Sequence, residues 1–335
     1  MKELRFYYHH LSALERPVYD AIVKGIAAHE QSIRIMGPSS AVKKVFPMVV
    51  LDCPEFFYVE TSCYSVSGNG VFTILNLEYH KNMAQSRAIR QQLERIGNRF
   101  LDEVTARRMN SLATVRFAHD FIIRNVEYAR ENLASGDSSG DVCSITGVFL
   151  KRRAVCLGIA MGIKWLLDLA GIPSAVIEGR VRERGIQDSF TYTGAAAENN
   201  HAWNLVCLKD QWYHMDVTMD LGALPDKRQI AYDYFLRCGQ LMKNYLFFLE
   251  PKVDCSLENA SYFARNHVIF TDASQVRQYL AKSGKNHQKR LYFQLKGAAK
   301  DLSGQEILSW VSASVSGSYR HRYNDRLYIY DICLL

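Results

Sequence analysis

A cysteine, a histidine and an aspartate stand out in this chain of 335 residues, because their types, spacing and local patterns ask for the same chemistry. Cys156 opens the apolar run Cys156-Leu-Gly-Ile-Ala-Met-Gly-Ile-Lys-Trp-Leu-Leu-Asp-Leu-Ala170, which ends at Gly171-Ile-Pro173, the glycine-then-proline signal of a helix C-terminus. An ordinary thiol, with a pKa of about 8.5, is mostly protonated at neutral pH and attacks only once ionised. The first turn of a helix favours negative charge through unpaired N–H groups and the macrodipole, and it leaves donors for a developing oxyanion. A histidine within hydrogen-bond reach completes a thiolate–imidazolium pair, and a carboxylate behind it fixes the ring.

His201 and Asp216 lie on two alternating runs, His201-Ala-Trp-Asn-Leu-Val-Cys-Leu208 and Gln211-Trp-Tyr-His-Met-Asp216, joined by Lys209-Asp210. If those two residues are the whole turn, Trp203 faces Asp216 and His201 faces Thr218. His201 and Asp216 then share one face of the hairpin as diagonal neighbours, whereas a three-residue turn would separate them. His214 falls on the same face and competes for the part of base, but it is read as packing. Taken alone, Cys156 would be a small buried hydrophobe; its place at a helix start and the hairpin beyond it point to chemistry.

The elements around these residues divide the chain into an N-terminal α/β domain (1–105), a core (106–250) and a small C-terminal α/β domain (251–335). In the first, a helix over about 12–29 opens on a Ser12-Ala-Leu-Glu15 capping box, followed by a strand at Ser32–Met36. Next comes a short helix that Pro47 should stop or kink, then two paired strands, Phe56 to Val66 and Val71 to Tyr79. Helices are expected from Asn82 to about Arg107 and from Asn110 or Ser111 onward. A loop at Ala134–Asp141 precedes the Cys156 run; a strand at Ser174–Val181 and a long loop at 182–200 follow it, the loop placed to shape or cover a site. A further helix is expected over Ile230–Leu241. The tail alternates β-α-β-α-β: Val268–Phe270, Ser274–Lys282, Arg290–Lys296, Ser303–Ser312 and Leu327–Ile332.

Composition removes several alternatives. Nearly half the residues are apolar, enough for a large core, and no run is long enough to span a bilayer or reads as a secretory signal, so a cytoplasmic protein is expected. The net charge of +7 is spread out, and the arginines between 87 and 108 alternate with acids as on a solvated helix face, so neither nucleic acid nor membrane is an expected partner. The eight cysteines stand singly, without C-x-x-C pairs, and are expected as reduced thiols; Cys143 as a redox partner of Cys156 is the lesser alternative.

Ala154-Val-Cys156-Leu-Gly-Ile-Ala160, Gly171-Ile-Pro173, His201-Ala-Trp-Asn204 and Trp212-Tyr-His-Met-Asp-Val-Thr218 together resemble the core of the transglutaminase-like superfamily, as found in bacterial multidomain members. The resemblance covers roughly residues 108–222, including Asn125-Val-Glu-Tyr128; Ala154 stands where the family usually has glycine. It implies an α+β, papain-like fold in which a helix bearing the cysteine packs on an antiparallel sheet, with a triad of Cys156, His201 and Asp216. The Tyr128 hydroxyl is a candidate donor near the oxyanion, and Trp203 either lines the acyl pocket or covers the core. No acidic cluster of the calcium-binding kind is present, and no cofactor or metal is called for. The expected activity is a cysteine hydrolase, a peptidase or amidase working through acylated Cys156 on a peptide or protein substrate. The alternatives are a protein-glutamine acyl transferase with the same triad and a non-catalytic peptide-binding scaffold.

Overall fold

The computed structural model describes residues 4–131, 140–181, 201–224, 226–242, 245–246, 253–315 and 317–335. The loop expected at 182–200 and most of the loop at 134–141 lie outside the described residues. Met1–Tyr234 with Cys238–Leu257 form one compact unit, and Phe235–Arg237 with Glu258–Leu335 form a second.

The first unit begins with a helix the sequence pattern does not announce, Phe6–His10. Its N-terminus is closed by Asp52, whose carboxylate accepts the Tyr7 and Tyr8 N–H groups at 3.1 and 3.0 Å. The helix expected from residue 12 starts at Arg16 and runs to Ala27, with Pro17 in its first turn, where a missing N–H costs nothing. The Ser12–Glu15 pair forms ahead of it: the Glu15 carboxylate accepts the Ser12 N–H at 2.9 Å and its hydroxyl at 2.8 Å. Strands β1 (Ser32–Met36), β2 (Val59–Gly68) and β3 (Phe72–Tyr79) make an antiparallel sheet in the order β1-β3-β2. Pro47 does not end its helix, which spans Ser39–Asp52. Burial of Val42, Val45, Phe46 and Val49 outweighs the backbone bond that the ring removes.

Helices Met83–Ala106, capped by an Asn82–Gln85 box, and Ser111–Asn125, capped by Asn110, lead to the short parallel pair β4 (Glu127–Tyr128) and β5 (Arg153–Ala154). At the centre lies helix Cys156–Leu169, buried over most of its circumference, from Ile159 and Ala160 through Ile163 to Leu166 and Leu167. Helix Ser111–Asn125 packs on it, as do β6 (Ser174–Val181) and β7 (His201–Leu208). These strands belong to an antiparallel sheet of order β8-β7-β6-β9, completed by β8 (Gln211–Met215) and β9 (Tyr245–Leu246). Two glycines let the chain preceding the helix press against it. A Cβ on Gly158 would run into the Val142 carbonyl oxygen, and one on Gly162 into the Val148 side chain.

One expected helix is absent. Residues 230–238 are irregular, and only Gly239–Leu241 makes a helical turn. The Tyr234 peptide is bonded on both sides by groups of another element: its N–H goes to the Asp220 carboxylate and its carbonyl accepts the Asp216 N–H. These bonds replace the ones a helix would have made.

In the second unit, β10 (Ile269–Phe270), β11 (Arg290–Leu295), β12 (Tyr319–Asn324) and β13 (Ile329–Leu334) form a sheet of order β10-β11-β13-β12. Helices Ala273–Lys285 and Gly304–Ser314 pack with it around Val276, Leu280, Phe293, Ile307 and Val311. The tail thus has one strand more than its pattern suggests. β12, Tyr-Arg-His-Arg-Tyr-Asn, is an edge strand with no apolar face, so period-two hydrophobicity does not reveal it.

Candidate active site

The start of the Cys156 helix is fixed by backbone alone. Val155 is extended (φ −90°, ψ 178°) and no side chain caps the helix. Instead the Val155 N–H donates to the Val142 carbonyl at 3.1 Å, and β5 just ahead pairs with β4 in the register Tyr128↔Ala154. This register brings Tyr128 beside Cys156, whose thiol and backbone both act on the phenol. Burial and then the neighbouring Cys156 push the Tyr128 phenol well above its usual pKa, so it remains protonated at neutral pH.

The hairpin obeys the two-residue turn. Pairing runs from Leu208↔Gln211 to Asn204↔Met215, with Lys209 and Asp210 both at positive φ (52° and 60°), as such a turn requires. The pairing expected beyond it is not realised: His201 has no Thr218 opposite, because Val217–Ala223 is a helix that Asp216 caps by accepting the Met219 N–H at 3.1 Å. The carboxylate nevertheless reaches its histidine, with Asp216 Oδ2 2.6 Å from His201 Nε2. Since Nε2 is taken, Nδ1 is the ring nitrogen left for the Cys156 thiol, which is near enough to raise the His201 pKa. The sheet is held at this distance from the helix by Asn204, whose amide donates to the Ala160 carbonyl at 2.9 Å. The cysteine, the histidine and the aspartate are therefore brought together from a helix start, a strand start and a helix cap.

His201 is the electrostatic centre of the group. Burial disfavours its charge, but the Asp216 carboxylate and the Cys156 thiol outweigh that and raise its pKa to about 10, so at neutral pH the ring holds a proton on each nitrogen. His214 behaves in the opposite way. Burial pushes its pKa down to about 4, and as a neutral ring it accepts a 3.1 Å bond from Trp203 Nε1 at Nδ1. It packs beside the group, against the Trp203 indole. Trp203 itself is 1% exposed and stacks along His201 at 6.0 Å between centroids. It shields one face of the ring from water, so covering the core is its observed place.

Sequence reasoning missed Tyr245. It lies in an aromatic-rich stretch without regular period, yet β9 pairs it with Val181, and its hydroxyl donates to Asp216 Oδ2 at 2.7 Å, the oxygen that also meets His201. No local pattern could have found it, because the pairing partner is more than sixty residues away in sequence. All eight cysteines are free. A cavity next to the helix start is lined by Leu157 and Met161 together with Cys143, Phe56, Phe57 and Val59. No helix among the described residues is long and apolar enough to cross a membrane.

Residues 98–217 match the model of a family described as the transglutaminase-like superfamily. No curated protein matches the chain. A solved structure described as the crystal structure of a TGase is similar to it with a TM-score of 0.29 and 14% identity, over 61% of this chain and 54% of that one. The chain thus spans about half the length of that structure, and a likeness of this degree carries no argument about activity.

Proposed function

We propose that this chain, whose residues 98–217 match the model of the transglutaminase-like superfamily, is a thiol-dependent amide hydrolase acting on a peptide or protein in the cytoplasm. The observation that carries this reading is the ordered contact of Cys156, His201 and Asp216, with Cys156 at the first position of a buried helix. In this reading the chain divides into an N-terminal domain (1–105), the catalytic core (106–250) and a C-terminal domain (251–335).

The Cys156 sulfur attacks the amide carbonyl as thiolate, forming the C–S bond while the carbonyl electrons move to oxygen. The Cys156 N–H and the Tyr128 hydroxyl supply donors to that oxygen. His201 gives its Nδ1 proton to the leaving nitrogen as the C–N bond breaks, and Asp216 holds the ring through Nε2. Water then attacks the thioester, losing its proton to His201, and the thiolate departs. An amine in place of water would make the same acyl-enzyme an acyl transferase, which is the second reading.

The test is incubation of peptide pools with and without a labelled primary amine, comparing wild type with Cys156→Ala. New termini or released ammonia that depend on Cys156 support hydrolysis. Incorporation of the amine without cleavage selects the transferase. Neither product, together with wild-type alkylation by iodoacetamide at pH 7 no faster than in Cys156→Ala, leaves only the peptide-binding scaffold.

A further inference from the structure

One turn beyond Asp216, the same helix carries a second aspartate bonded to a second histidine. Asp220 is fully buried, and its Oδ2 lies 3.1 Å from Nε2 of His119 on helix Ser111–Asn125. The other nitrogen, His119 Nδ1, lies 3.0 Å from Asp120 Oδ1. Asp120 in turn accepts the Tyr232 hydroxyl at 3.0 Å, and that hydroxyl accepts from Arg116 Nε at 3.1 Å. The His119 ring also stacks on Tyr232 at 5.2 Å. With a carboxylate at each ring nitrogen, His119 can donate to both only as an imidazolium.

This second pair meets the first through the backbone of one residue. The Tyr234 N–H donates to Asp220 Oδ1 at 3.0 Å, while the Tyr234 carbonyl accepts the Asp216 N–H at 3.1 Å. The helix thus grips Tyr234 at its cap and again one turn later, so both backbone groups of that residue are held, one on either side of its Cα. We propose that His119 and Asp220 are a positioning pair that, through the Tyr234 backbone, holds the Asp216 carboxylate where it meets His201. The proposal rests on the reading of Cys156, His201 and Asp216 as a working group, and it gives His119 and Asp220 no contact with substrate.

Two further observations favour positioning over mere packing. The pair is ionic in a place with no exposed surface, where apolar side chains would fill the same space at lower desolvation cost, so what it supplies is a fixed direction. The ring is also faced by acids on both sides. His119 faces Asp120, Asp220 and the Tyr232 ring; burial opposes its charge, but Asp120 and Asp220 hold its pKa above the usual value. Asp220 is raised to about 7 by burial, with His119 opposing the rise and Asp233 adding to it.

The experiment compares the full-length wild type with Asp220→Ala and Asp220→Asn. Alkylation of Cys156 by iodoacetamide is followed by peptide mapping, and the His201 ring is titrated by NMR of histidine labelled with ¹⁵N. An asparagine still accepts the Tyr234 N–H and can donate to a neutral His119, so Asp220→Asn keeps both readouts near wild type. Asp220→Ala slows Cys156 alkylation roughly 10- to 100-fold, the scale of a misplaced catalytic group, and lowers the pH at which His201 loses its proton, because a loosened Asp216 no longer retains it. If Asp220→Ala does not fold, the milder Asp220→Ser is read in the same way. Folded alanine or serine variants with wild-type His201 titration overturn the proposal. Wild-type Cys156 alkylated no faster than the exposed Cys63 overturns the activated-thiol reading instead, and the His201 titration still decides the positioning role.

Discussion

Two histidine–aspartate pairs sit one helical turn apart in this protein, and their surroundings give them different work. His201–Asp216 has a thiol on the free side of the ring and a side chain 8% exposed at the start of a strand. His119–Asp220 has a second carboxylate in that position and no exposure at either partner. In the proposed reading the same two side chains are a proton-handling pair where a nucleophile completes them, and a clamp where another acid does. The difference lies in what occupies the remaining ring nitrogen, because that group decides whether the proton has anywhere useful to go.

The comparison is broken most severely by treating the two histidines alike. His201→Ala should cut Cys156-dependent turnover, or Cys156 alkylation at pH 7, by about 10²- to 10⁴-fold, the usual contribution of an acid–base group, and also lower the thermal midpoint, because buried Asp216 loses its partner. His119→Gln should weigh more on stability than on alkylation. It leaves the buried Asp220 carboxylate without its cation and lowers stability by roughly 3–5 kcal/mol in a denaturant titration. Equal effects of the two substitutions on both measurements would erase the distinction. A smaller perturbation sharpens it: Tyr245→Phe removes one of the two donors on Asp216 Oδ2. Alkylation of Cys156 should slow about fivefold, the worth of one hydrogen bond of ~1 kcal/mol, while unfolding of the His119 region, followed by hydrogen exchange at Ile122 and Ile123, stays unchanged.

The gentlest probe is pH. The folded pKa of His201, about 10, lies above the value of about 6.5 for an unfolded histidine. Its pairing therefore stabilises the fold fully below about pH 6.5 and loses that contribution as pH rises toward 10. Denaturant midpoints measured at pH 6 and at pH 10 should fall with rising pH in wild type and fall less in Asp216→Asn. An equal decline in both would assign the slope to other groups.

Much of this site was readable before any coordinates. Lys209-Asp210 as a two-residue turn put His201 and Asp216 on one face, and the observed register agrees from Leu208↔Gln211 to Asn204↔Met215. The Cys156 helix, the capping residues Asn82 and Asn110, and most strands follow from local periodicity and cap chemistry. The errors share a cause. Pro47 stays inside a helix because its neighbours are buried, and residues 230–238 avoid a helix because Asp216 and Asp220 claim the Tyr234 peptide. In each case a distant partner overrides the local preference.

The sequence by itself determined which side chains could act: a thiol at a helix start, and a histidine and a carboxylate on one hairpin face, because those depend on periods of a few residues. Only the tertiary structure decided how they are held. Tyr245 reaches Asp216 through a strand pairing with Val181, Asn204 reaches the Ala160 carbonyl, and His119 meets Asp220 from a helix about a hundred residues earlier. Such contacts are fixed by which surfaces are buried against one another, and burial is a property of the whole packed chain.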